Sequence, residues 1–136
     1  MPSREVVTSF VRMVEQGKFI EAMEAFYAPE ATAQENGEAP RVGLPALIAH
    51  ERAMLATFDR VEACCLDPAI IDGDDVVIHW QFAFRHKSGA ILRLDELAFQ
   101  RWRDDKLIAE RFFYDPRQLQ PGGGAKKDAL RDRASG

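Results

Sequence analysis

A chain of 136 residues, 46% hydrophobic and 29% charged, is the size of one domain with one core and has the composition of an ordinary globular protein. Its formal charge of −4, with no basic run in the body of the chain, argues against a nucleic-acid surface. No apolar run approaches the roughly 20 residues that cross a bilayer, which argues against a membrane span. The start, MPSREVVTSF, lacks the basic-then-apolar layout of a secretory leader, so a cytoplasmic location is expected.

Ser3 is placed to cap a first helix, whose apolar stripe is Val6, Val7, Phe10, Val11, Met13 and Val14 and which Gly17 ends. A second, short helix places Phe19, Ala22, Met23, Phe26 and Tyr27 inward and breaks at Pro29. Residues 31–35 form a short strand and 36–43 a loop of turn formers. A third helix runs from Leu44 to about Phe58, with Leu47, Ile48, Met54 and Leu55 inward and Glu51 on the same stripe.

The period then changes from 3.6 to 2. Strands are expected over 61–66, 76–86, 90–102 and 106–115, the last three joined by short turns into an antiparallel meander. Three helices before such a sheet make an α+β layout. In the strand 76–86 the aromatic face of Trp80, Phe82 and Phe84 should meet the helices. The opposite, mixed face of Val77, His79, Gln81, Ala83 and Arg85 suits sheet-to-sheet homodimerisation. His86 and Lys87 charge the edge. Residues 120–136, with a glycine run and mixed charges, read as a flexible tail after a single domain over 1–119.

Little points to metal or thiol chemistry. His50, His79 and His86 lie in different elements without HxH or HExxH spacing, and the adjacent Cys64 and Cys65 have no ligand spacing around them. No metal and no cofactor are expected.

Four segments, QGKFIEAMEAFYAPEATAQENG, APRVGLPALIAHERAM, VVIHWQFAFRHKSG and RLDELAFQRWRDDKLIAERFFYD, follow one another over residues 4 to about 119. Their order and spacing resemble the nuclear transport factor 2-like superfamily, in its SnoaL-like branch. The resemblance implies a cystatin-like cone, a bent antiparallel or mixed sheet wrapped around the three N-terminal helices with a pocket in its mouth. The superfamily includes ketosteroid isomerases, epoxide hydrolases, polyketide cyclases, dehydratases and non-catalytic binding proteins, so the fold alone leaves the activity open.

Against the ketosteroid isomerases, Glu35 falls on the proton-abstracting base and Asp95 on the oxyanion-binding acid. Phe10 stands where the tyrosine of that hole belongs, and Glu51 where a supporting tyrosine belongs. Losing such a donor costs on the order of 100-fold in rate, which argues against a steroid isomerase. Against the epoxide hydrolases, Asn36 matches the water-binding asparagine, but Trp80, Phe82 and Phe112 occupy the remaining catalytic positions and exclude that chemistry. A SnoaL-type cyclase needs an apolar cavity and a carboxyl group of raised pKa, and this chain supplies both.

With Asp95 turned inward, Ile91, Arg93, Leu97 and Phe99 share its face, and Glu110, Phe112 and Tyr114 line the same cavity with Tyr27, Glu35, Trp80 and Phe82. Asp95 is then either a pocket acid or the partner of Arg93 or Arg111. Glu35 is a base at the mouth or a solvated loop acid, Glu110 pairs with Arg93, and Glu96 faces away. Two functions remain open: a cofactor-free cyclase, isomerase or dehydratase acting on a small apolar, carbonyl-bearing molecule, with Asp95 and Glu35 catalytic, or a non-catalytic binding or dimeric scaffold protein using the same cavity.

Overall fold

Residues 1–120 are described by the computed structural model, and the expected tail lies outside them from residue 121 onward. Helix α1 (Arg4–Glu15) starts as its sequence predicts, with the Ser3 hydroxyl accepting the Val6 N–H at 3.1 Å. Its buried stripe is Val7, Phe10, Val11 and Val14. Gly17, at φ +81°, gives its N–H to the Val14 carbonyl, and the chain turns directly into α2 (Phe19–Phe26).

Strand β1 (Tyr27–Glu35) begins without a loop, four residues earlier than its alternation suggests. Pro29 lies inside it rather than at a helix break. Between Tyr27 and Thr32 the register against β7 shifts, and a residue with no N–H is tolerated at such an irregularity. A two-residue strand β2 (Arg41–Val42) follows, then α3 (Leu44–Thr57), entered through Gly43 at φ +92°. The remaining elements are β3 (Arg60–Cys65), β4 (Ile70–Asp72), β5 (Asp75–Arg85), β6 (Ile91–Arg103), β7 (Lys106–Phe113) and a 3-10 turn, Pro116–Leu119. Strands β2 and β4 are too short to leave a readable alternation.

The 7-stranded sheet has the order β2-β1-β7-β6-β5-β3, with β4 paired to β5. Every pairing is antiparallel except β1 with β7, which is parallel and makes the sheet mixed. The helices fill the concave side, giving the expected α+β cone. Trp102, 1% exposed, sits at its packed end, with ring centroids 5.9 Å from Phe10 and 6.3 Å from Phe26.

Register decides which side chains enter the cone. Trp80 lies opposite Glu96, and Gln81 opposite Asp95. Directly opposed residues share a face, so Glu96 follows Trp80 inward and Asp95 goes out. On β6 the buried set is Leu94, Glu96, Ala98, Gln100 and Trp102, while Leu97 and Phe99 are exposed. The expectation for β6 is therefore inverted: Asp95 and its face point outward, and Glu96 is the strand's internal carboxyl.

Trp102→Ala should lower unfolding free energy by about 3–5 kcal/mol, because it empties the centre of the aromatic cluster. Urea denaturation followed by far-ultraviolet circular dichroism measures the loss.

Candidate functional site

The cone encloses a cavity of about 560 Å³, within the range of small-molecule sites. Phe10 of α1, Phe58 after α3, Trp80, Phe82 and Phe84 of β5 and Phe112 of β7 supply its aromatic walls. Trp80, Phe82 and Phe84 run along one face of β5, with neighbouring centroids 5.8 and 5.9 Å apart.

The acidic lining comes from four elements and one loop: Glu35 of β1, Glu38 after it, Glu51 of α3, Glu96 of β6 and Glu110 of β7. These carboxyls divide by what holds them. Glu110, 5% exposed, accepts the Tyr27 hydroxyl on Oε1 and the Gln100 amide on Oε2 at 2.6 Å. The Trp102 indole in turn donates to Gln100 Oε1 at 3.0 Å, so this acid belongs to a closed network in the cavity floor. Glu35 Oε2 lies 2.7 Å from Arg41 Nη1. Arg41 Nε is buried and meets no acceptor among the described residues.

Glu96, only 6% exposed, lines the cavity and has no hydrogen-bond or ion-pair partner among the described residues. Glu51 likewise faces the cavity without such a partner. Burial raises the Glu51 carboxyl from 4.5 to about 7, with the Glu110 and Glu35 charges adding to the effect and Arg41 opposing it. Burial also pushes Glu96 well above the usual carboxylate range, reinforced by Glu110, Glu35 and Glu51. For Glu110, burial raises the value against the lowering effect of its bonds from Tyr27 and Gln100. Tyr114, another lining residue, is raised by burial to about 12.

Of the residues expected at the site, Tyr27, Glu35, Trp80, Phe82, Glu110, Phe112 and Tyr114 come together around this cavity. Asp95, Arg93 and Asn36 do not line it. Asp95 Oδ1 is 2.5 Å from His79 Nε2 on the outer face, and His79 Nδ1 is 2.9 Å from Asp67 Oδ2. Partial burial disfavours the imidazolium, but the hydrogen bonds to Asp67 and Asp95 outweigh it and raise the His79 pKa. The Asp95 peptide is clamped at both ends by Gln118, whose amide accepts its N–H at 2.8 Å and donates to its C=O at 3.1 Å. Gln118 thus continues the ladder where β7 has ended.

Arg93 shares the outer face with Asp95, so the expected Arg93–Glu110 pair does not form; Tyr27 and Gln100 occupy that carboxyl instead. Asn36 is a turn residue at φ +47°, and its Oδ1 accepts the Tyr114 N–H at 3.0 Å, tying the end of β1 to the end of β7. The expected outward Glu96 is the deepest unpartnered acid of the cavity. A signal for this was present: Arg93, Arg101 and Arg103 all share the parity of Asp95, and no arginine or lysine shares that of Glu96.

The SnoaL-like domain model matches residues 7–110, and the chain belongs to that family. No curated protein matches the sequence. Among solved structures, a candidate SnoaL-like polyketide cyclase from Jannaschia sp. CCS1 superimposes with a TM-score of 0.73 at 16% identity, over 88% of this chain and 92% of that one. A protein with a ketosteroid isomerase-like fold from Catenulispora acidiphila, solved in complex with trimethylamine, gives 0.74 at 17% identity, over 88% and 92%. A cystatin-like protein of unknown function from Xanthomonas campestris gives 0.74 at 18%, over 88% and 95%. At these identities the likeness establishes the cone and nothing finer. No described helix is long and apolar enough to cross a membrane.

The raised Glu51 has a consequence for stability. Its carboxyl holds a proton more tightly in the folded chain than in the unfolded one, so this group favours folding most below its unfolded value of 4.5. As pH climbs from there through about 7, that contribution is lost, an effect on the order of 3 kcal/mol. Glu51→Gln removes this part of the pH dependence. The variant should match the wild type near pH 4.5 and exceed it near pH 8, as read from urea midpoints at the two values.

Proposed function

We propose that this SnoaL-like protein takes a small, largely apolar, carbonyl-bearing molecule into the cone and moves a proton on it, with Glu96 as acid and Glu51 as base. The observation that carries this reading is Glu96 itself, an unpartnered carboxyl 6% exposed in an aromatic cup. A buried acid retained without a partner costs stability, and such groups concentrate at functional sites. Burial disfavours its charged form, and the protonated carboxyl donates a hydrogen bond to a ligand oxygen. Glu51, raised to about 7, is matched to accepting a proton near neutrality.

In that arrangement Glu51 removes a proton from the carbon beside the carbonyl, and Glu96 stabilises the enolate oxygen. The enol is then reprotonated at another carbon, or attacks a second carbonyl and closes a ring. Neither route requires a cofactor. Arg41 Nε offers one further donor. Glu35, matched by resemblance to a base, is held by Arg41 and serves here to set the charge of the rim. The trimethylamine complex of a fold relative supports only the capacity of such a cone to admit a small organic molecule.

The test is exchange of solvent deuterium into a panel of bicyclic and steroid-like ketones, followed by proton NMR. Wild type should accelerate exchange, and Glu96→Gln should lower the rate on the order of 100-fold. Asp95→Asn should leave it unchanged, since that carboxyl is on the outer face. Binding without any exchange would leave the non-catalytic reading, which the apolar residues Phe10, Trp80, Phe82 and Phe112 favour.

The outer face supports homodimerisation in the same reading. Leu97, Phe99 and Phe113 are 46%, 42% and 44% exposed and adjoin one another, with Leu97 opposite Phe113. Phe99→Asp should convert a dimer to a monomer in size-exclusion chromatography with light scattering.

A further inference from the structure

The charge of the lining bears on the ligand as directly as its shape does. Five glutamates, Glu35, Glu38, Glu51, Glu96 and Glu110, face the cavity, against one arginine, Arg41, which Glu35 already engages at 2.7 Å. Among the groups around Glu51, Glu110 of β7 and Glu35 of β1 add negative potential, Arg41 of β2 opposes them, and Glu96 of β6 is itself raised by the Glu51 charge. Tyr27 and Tyr114 are neutral phenols, and His50, the remaining titratable lining group, is exposed on α3. An anionic ligand would find a single arginine, already engaged by Glu35, and would further disfavour ionisation of the surrounding acids.

Resting on the proposed binding reading, we infer that the molecule taken into the cone carries a single positive charge, an ammonium or similar organic cation on an apolar body. Two independent features favour it. Glu96 is an unpartnered, almost wholly buried carboxyl aimed into the cavity, and the walls include the rings of Trp80, Phe82, Phe84 and Phe58, aromatic side chains of a type whose faces attract cations. The cation also prepares the chemistry. Placed among these acids, it favours the carboxylate form of Glu51, whose proton is otherwise held up to about pH 7. The substrate's own charge thereby puts the base in its working state, and a fraction of a proton leaves to solvent for each cation bound at lower pH.

The experiment compares three probes by isothermal titration calorimetry: phenethylammonium, the neutral 2-phenylethanol and the anionic 3-phenylpropanoate. The amine stays protonated up to about pH 8. Near pH 8 the ammonium should bind on the order of tenfold tighter than the alcohol, and the carboxylate weakest. Lowering the pH to about 5.5 should weaken ammonium binding about tenfold. In buffers of different ionisation enthalpy near pH 6, ammonium binding should release about half a proton and alcohol binding none. Glu51→Gln should abolish the release; should that variant not fold, the wild-type pH series decides alone. Alcohol binding as tight as ammonium binding, or an ammonium affinity insensitive to pH, overturns the cation while leaving the cavity reading in place. Failure of all three probes to bind counts against both.

Discussion

The buried carboxyl of Glu110 is the constraint around which the cone is arranged. Its two oxygens receive the Tyr27 hydroxyl and the Gln100 amide, joining the start of β1 to β6 across β7. The parallel pairing of β1 with β7 is an unusual closure for an otherwise antiparallel sheet, and its register is irregular just after Tyr27. A directional bond to a buried acid fixes that junction where the ladder by itself does not. Because Gln100 is also held by Trp102, the network reaches the aromatic cluster against α1 and α2. Floor, sheet and helices are thus positioned by one set of contacts.

The same network explains why the other acids are not structural by default. Glu110 has donors for both oxygens, so its burial is compensated. Glu96, one strand away and similarly buried, has none among the described residues. Glu51 adds a carboxyl whose charge is disfavoured by burial and by Glu110 and Glu35, and Glu51, Glu96 and Glu110 together make the cone less stable as pH rises. A core selected only for stability would place apolar side chains at 51 and 96, which neighbouring Leu47 and Leu94 show to be compatible with these faces. The cavity and its unsatisfied acids therefore belong together.

Much of this was legible in the sequence. The cap at Ser3, the stop at Gly17, the three long strands and the inward aromatic face of β5 follow from local chemistry. Helical and strand periods also placed Glu51, Tyr27, Glu110 and Tyr114 on the faces they occupy. What failed was the parity of β6. A strand with apolar residues on both faces, Leu94 and Ala98 on one, Leu97 and Phe99 on the other, does not announce which is buried. The apolar Leu97 and Phe99 on the outer face outweighed the arginines that share it, and similarity to an isomerase acid reinforced the error at Asp95. Strand β1 was read short because Pro29 looked like a terminator, and its pairing with β7 depends on chain return that no local pattern encodes.

Asp95 and Glu96 show how completely a sheet separates neighbours. One peptide apart, they have opposite surroundings. Asp95 meets His79 on the outer face, while Glu96 enters a cup of rings where burial disfavours the charged form. Gln118 clamps the intervening backbone through the Asp95 peptide, and the next residue, Leu119, lines the cavity. The outer ion pair, the peptide clamp and the inner acid accordingly constrain one short stretch of β6 from both faces and from its edge. That restraint would suit the proton donation proposed for Glu96, because a donor must be held before the ligand arrives for its bond to favour the reacting state over the resting one.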